Sequence, residues 1–161
     1  MKKILSLILS VLACSASLLA DTTTLPTNSL STLSQRPKIR LSIEADKSEL
    51  NQYALNIDEL QTNISKKLGE ANILIESTPQ SPMLVLRIKA VEAGNDLAAF
   101  VQLAFFEEAT LSRNNNLFSA ITWSEASLVT VSKKEFSSEA TKTIDAMISS
   151  FIIEYNKAFA K

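Results

Sequence analysis

The chain has no histidine, a single cysteine (Cys14) and two glycines (Gly69 and Gly94) in 161 residues. Without histidine there is no Ser-His-Asp or Cys-His nucleophile system, no ordinary zinc site and no imidazole pH switch. Two isolated glycines form neither a P-loop nor a dinucleotide fingerprint, because both need clustered glycines where backbone meets phosphate. A lone cysteine makes no intrachain disulfide, so an ordinary core must supply the stability. No acidic loop has the Asp-x-Asp-x-Asn-Gly spacing of calcium sites, so neither metal nor cofactor is expected. Charge of one sign is also missing. With 16 basic against 17 acidic side chains, net −1, there is no footprint for nucleic acid. What remains is 46% hydrophobic and 20% charged, a globular composition of one-domain length.

The N-terminus reads as an address. Lys2 and Lys3 precede an apolar run from Ile4 to Ala13, then small residues and Asp21. This is the order of a secretory signal peptide, with a run too short for a permanent membrane helix. Two processing sites compete. Cleavage after Ala20 frees a chain starting at Asp21. Val11-Leu12-Ala13-Cys14 resembles a bacterial lipobox, and acylation at Cys14 would tether the domain to a membrane, although Leu12 is bulkier than that pattern favours. Loss of Lys2 and Lys3 leaves 14 basic against 17 acidic groups, net −3, which gives no attraction to anionic lipid. Any membrane contact is expected only through the anchor. Residues 21–37, rich in Ser and Thr with Pro26 and Pro37, read as a flexible leader, and residues 38–161 as one α+β domain.

Within that domain the periodicity alternates between two and three-to-four. Ile39, Leu41 and Ile43 alternate with polar neighbours, the pattern of a half-buried strand. Ile57, Leu60, Ile64 and Leu68 form one helical stripe, with Asn56 placed to cap its start and Gly69 to take its left-handed exit; Leu50 and Ala54 could extend the stripe backwards. Ile73 to Ile75 could begin a strand. Residues 83–91 and 97–108 alternate around the turn at Gly94-Asn95 and predict a hairpin. A third strand is expected at 117–125, with Leu117, Ile121 and Trp123 on one face and Val129 and Val131 prolonging the sheet. Ser132-Lys133-Lys134-Glu135 matches a capping box before a wide apolar stripe from Phe136 to Phe159. The expected fold is a two-layer α+β sandwich, a mostly antiparallel sheet of about four strands with two helices on one face.

Carboxylates are the remaining parts for an enzyme. Glu107 and Glu108 point to opposite faces of a strand; Glu107 continues the apolar face of Phe105, where burial would raise its pKa, and Glu125 shares parity with Trp123. Without a motif to join them, Glu107 and Glu125 read as carboxylates at strand ends in water, and no catalytic residue is assigned. Trp123 reads as core, and otherwise as a ligand anchor. The better clue is the sheet face turned away from the helices. Met83, Val85, Arg87, Phe100, Gln102 and Phe106 are the candidate contacts there, for an envelope protein partner or for a second copy of the chain.

The helix at Ile57–Leu68, the 83–106 hairpin and the helix at Phe136–Phe159, in this order behind a signal and leader, resemble small envelope accessory domains of the anticodon-binding-like α/β fold. Examples are the lipopolysaccharide-assembly lipoprotein, the TolB N-terminal domain and the Pel-polysaccharide export lipoprotein. The resemblance spans residues 38–159 and implies non-catalytic work in a larger envelope machine, periplasmic or at the outer membrane of a Gram-negative bacterium. It transfers no site residues. A carrier of lipid or glycan, with a large apolar cavity near Trp123, is the alternative; a carboxylate hydrolase comes third.

Overall fold

Short apolar alternations and one long helical stripe have to bury their faces together. In the computed structural model, which describes residues 36–160, they do so as β1 (Arg40–Glu44), α1 (Lys47–Asn51), α2 (Ile57–Glu70), β2 (Met83–Ala93), β3 (Asp96–Thr110), β4 (Leu117–Ser132) and α3 (Phe136–Ala158). The expected signal peptide, with Cys14, and residues 21–35 of the expected leader lie outside the described residues. The strands form one sheet in the order β1-β2-β3-β4, with β1 parallel to β2 and the other two pairings antiparallel. The parallel pair exists because α1 and α2 lie between β1 and β2, whereas hairpins join the rest.

One sheet face is covered by helices. Leu84, Leu86, Ile88, Val101, Leu103 and Phe105 share a buried cluster with Leu60, Ile64 and Leu68 of α2 and with Phe136, Ile144, Ile148, Phe151 and Tyr155 of α3. Phe105 meets Phe151 at 5.3 Å and Tyr155 at 6.1 Å between ring centroids, the offset geometry that aromatic quadrupoles favour. A Lys67–Asp145 ion pair at 2.7 Å ties α2 to α3 across the surface. The fold is the α+β sandwich anticipated from the patterning, with the one-turn helix α1 added.

Several local expectations are corrected. Asn56 does cap α2, accepting from the backbone N–H groups of Asp58 and Glu59, but the helix runs through Gly69. Its left-handed exit is Asn72, at φ 59°. Asn72 N–H donates to Gly69 O at 3.0 Å, and Ile73 N–H to Leu68 O at 2.9 Å, a Schellman closure that seats apolar Ile73 beside Leu68. Ile73–Ile75 is therefore mostly helix exit, with a single bridge from Ile75 to Ile39 rather than a strand. The α2 stripe does not extend backwards either, because α1 ends in its own left-handed residue, Ala54 at φ 57°. Ser132 is not an N-cap. It belongs to β4, and its hydroxyl donates to the Glu135 carboxylate at 2.7 Å, one turn before α3 begins. In the β2–β3 turn Gly94 alone takes positive φ, at 66°, the pattern of a II′ turn.

The largest correction is on β4. Phe105 pairs with Trp123, but its neighbour Phe106 pairs with Ile121, so Thr122 is a β-bulge. An extra residue reverses the inward–outward alternation beyond it. Trp123 consequently faces the helices, whereas Ile121 and Leu117 face away; the three do not share a face.

Candidate functional site

The outer face is built from cross-strand rows. Met83, Phe106 and Ile121 form one; Val85, Ala104 and Ser124 the next; then Arg87, Gln102 and Ala126; then Lys89, Phe100 and Leu128. All six residues singled out from the sequence lie in these rows, on adjacent strands. They differ in access. Phe100 is 42% exposed, Met83, Arg87, Gln102 and Phe106 are half-buried, and Val85 is 0% exposed despite facing away from the helices. Val85 is floor rather than contact surface, as is its partner Ala104. Arg87 and Phe106, from the rows on either side, meet across Val85. Arg87 Nε donates to Glu44 Oε2 at 2.6 Å, Nη1 to Gln102 Oε1 at 3.5 Å, and its guanidinium carbon lies 5.7 Å from the Phe106 ring centroid. An ion pair on one side and a ring on the other hold that side chain down across the sheet.

Two contributors escaped the sequence reading. Leu128, 71% exposed, stands beside Phe100, and Ile121 stands beside Phe106. Leu128 was readable once β3 and β4 are aligned, but Ile121 was hidden by the bulge. The face thus divides. Its β1–β2 side carries Arg40, Glu44, Arg87 and Lys89, and its β3–β4 side carries Phe100, Phe106, Ile121 and Leu128. Among the described residues, Lys89 makes no ion pair.

On the inner face Glu107 is not a strand-end carboxylate in water: it is the one buried charged residue among those described, 6% exposed, and neither of its oxygens has a hydrogen-bond partner there. Burial pushes its pKa above the ordinary glutamate range, and the nearby Thr122 hydroxyl opposes this weakly. That hydroxyl makes no aligned hydrogen bond with it. Tyr155 is pushed up to about 12, chiefly by burial, with Arg36 lowering and Glu107 raising it further, and its hydroxyl donates to Pro37 O at 2.7 Å. Glu107 and Glu125 do not converge. Glu107 pairs with Ala120 and Glu125 with Leu103, four residues along β3 from Glu107. That is about 13 Å of strand, against the roughly 5–9.5 Å that separates glycosidase carboxyl pairs. Glu108 is exposed on the opposite face.

Trp123 is a core residue, 7% exposed and edge-on to Phe151 at 5.3 Å. The cavity beside it, about 300 Å³, is lined by Trp123, Ser124, Glu125, Ser150, Ile153 and Glu154. It lies at the open edge of the sheet, and four of its six lining residues are polar. Among the described residues, no group of three or more His, Cys, Asp or Glu side chains could hold a metal ion, and no helix is long and apolar enough to cross a membrane.

Neither a protein-family model nor a curated protein sequence matches this chain. Solved structures do. A PelC dodecamer variant from Paraburkholderia phytofirmans is similar at TM-score 0.43 and 12% identity, over 76% of this chain and 91% of that one. A minor lipoprotein from Acinetobacter baumannii gives 0.33 and 13%, over 76% and 93%. A hypothetical protein from Chlamydia trachomatis gives 0.38 and 13%, over 77% and 99%. PelC is the Pel export lipoprotein, one of the envelope proteins that the order of elements resembles. All three TM-scores lie under 0.5, and the likeness transfers no role to this chain.

Proposed function

We propose that this is an exported bacterial envelope protein, periplasmic or tethered through Cys14, that works as a non-enzymatic binding or assembly accessory through the outer face of its sheet. One observation carries the reading. The inner face is sealed by α2 and α3, whereas Phe100, Ile121 and Leu128 stand exposed on the outer face with no layer of described residues above them. Phe100 and Leu128 stand side by side, with Ile121 about 20 Å along the same face, and an exposed apolar pair on an uncovered sheet face marks a partner surface. The partner that fits is a folded envelope protein whose own apolar patch meets Phe100 and Leu128, with a carboxylate at its margin opposite Lys89. Export rests on the charged and apolar pattern of residues 2–13. The Arg87–Glu44–Gln102 network fixes the basic side of the site in advance, so little ordering accompanies binding.

The test places a photo-crosslinking residue at Phe100 in the full-length protein, expressed in its own envelope, with adducts identified by mass. A discrete heavier adduct supports the accessory reading and names the partner. Absence of any protein adduct, or an adduct with a lipid or glycan, overturns it.

A further inference from the structure

The two edges of the sheet are unlike. β1 is five residues long and carries Arg40 and Glu44, a short and charged edge of the kind that discourages further pairing. β4 has neither protection. It runs 16 residues with one charged side chain, Glu125, and no proline or glycine, and among the described residues it has a neighbour only on its β3 side. Beyond the bulge at Thr122, residues 123–132 form a regular segment of about 30 Å, with Ser124, Ala126, Leu128 and Thr130 all exposed. The inner layer continues past this edge. α3 projects over it, with Ile153 54% exposed, and the cavity lined by Trp123, Ser124, Glu125, Ser150, Ile153 and Glu154 lies where the inward side chains of another strand would enter.

We infer that residues 123–132 of β4 are a strand-addition site, and that its occupant is the same segment of a second copy, antiparallel about a two-fold axis near Ser127–Val129. Identical antiparallel strands make an isologous contact, which hides both unprotected edges at once and closes the assembly at two. The charge pattern suits self-pairing. With the axis at Ser127, Leu128 or Val129, Glu125 faces Val129, Val131 or Lys133 of the second copy and never its own counterpart, so no like charges oppose. The sheet becomes eight-stranded, and the two apolar outer patches become neighbours. This inference stands apart from the proposed use of the outer face.

The test uses full-length protein recovered from a bacterial envelope, with mass in solution measured across dilution and wild type, whose own cysteine is Cys14, as the oxidation control. Wild type is expected to dimerise. With the axis at Ser127, Ser127→Cys, at the edge but off the outer face, is expected to cross-link two copies on oxidation; Phe100→Cys is not, wherever the axis falls. Leu128→Lys is expected to weaken dimerisation by up to about fivefold, through the one like-charge pair that the two-fold axis brings opposite or diagonal, and mixing it with Leu128→Glu to restore it. Phe100→Lys should leave the dimer intact. A monomer at every accessible concentration overturns the inference. So does a dimer whose affinity Leu128→Lys leaves unchanged, or one that Phe100→Lys dissociates, which would move the interface to the sheet face.

Discussion

Replacing Glu107 by leucine should stabilise this protein near neutral pH. The carboxylate is 6% exposed on the helix-covered face, and both oxygens lack a partner among the described residues. A buried polar group left unsatisfied costs about 1–3 kcal/mol. Exchanging a buried charge for an apolar side chain of similar volume recovers that cost when the packing is kept. The expected gain at about pH 7.5 is therefore roughly 1–3 kcal/mol, or about 3–5 °C in Tm per kcal/mol for a domain of this size. The pH dependence follows from the direction of the shift. Burial raises the folded-state pKa above the unfolded value, so the folded state holds the proton more tightly. Glu107 therefore lowers stability above its folded pKa, and the penalty fades as pH falls through that pKa towards the unfolded value. The advantage of Glu107→Leu should be largest at neutral pH and smallest in acid. Taking the variant-minus-wild-type difference at each pH removes the opposite contributions of Glu76 and Glu92, whose pKa values are held down by hydrogen bonds, chiefly from Ser81 and Lys133. Trp123 is the only tryptophan, buried against Phe151, so urea unfolding followed by its fluorescence reads the whole core. A variant less stable than wild type at neutral pH, or an advantage that does not change with pH, would refute the reasoning, because either means that the ionised carboxylate is compensated.

Three smaller predictions concern chain ends and packing. Ala54 closes α1 at φ 57°, where an L side chain costs about 1–2 kcal/mol; Ala54→Gly should gain about 0.5–1 kcal/mol net of the entropy it adds to the unfolded chain, as read by chemical denaturation. Asn56→Ala removes the acceptor for Asp58 N–H and Glu59 N–H and should cost about 1 kcal/mol, with Asn56→Asp retaining most of it. Phe151→Ala should cost roughly 3–5 kcal/mol, because that ring touches Phe105, Trp123 and Tyr155, and Trp123 emission should shift to the red even under folding conditions.

How much was legible depends on how local the governing force is. The stripe Ile57–Leu60–Ile64–Leu68, the Asn56 cap, the 83–106 hairpin and the stripe of α3 were all readable, because burying one face of a regular element repeats at a fixed period along the chain. So were the class of fold and the location of all six outer-face candidates, since side chains two apart on a strand must share a face. Three features were not readable. Gly69 looked like the helix exit, but Asn72 takes that conformation, because it is Ile73 that can drop into the core beside Leu68. Val85 looked like a contact and is floor, because Arg87 and Phe106, from the rows on either side of it and on different strands, meet across it. Ile121 looked like an inward neighbour of Trp123 and faces outward, because the Thr122 bulge exists only against β3. The sequence by itself determined the elements and their buried faces, since periodicity is written locally in side-chain chemistry. Only the tertiary structure decided which outward residues are open, which edge of the sheet is unprotected and which carboxylate is stranded. Each of those depends on what lies across a strand or over a face, and no local pattern carries it.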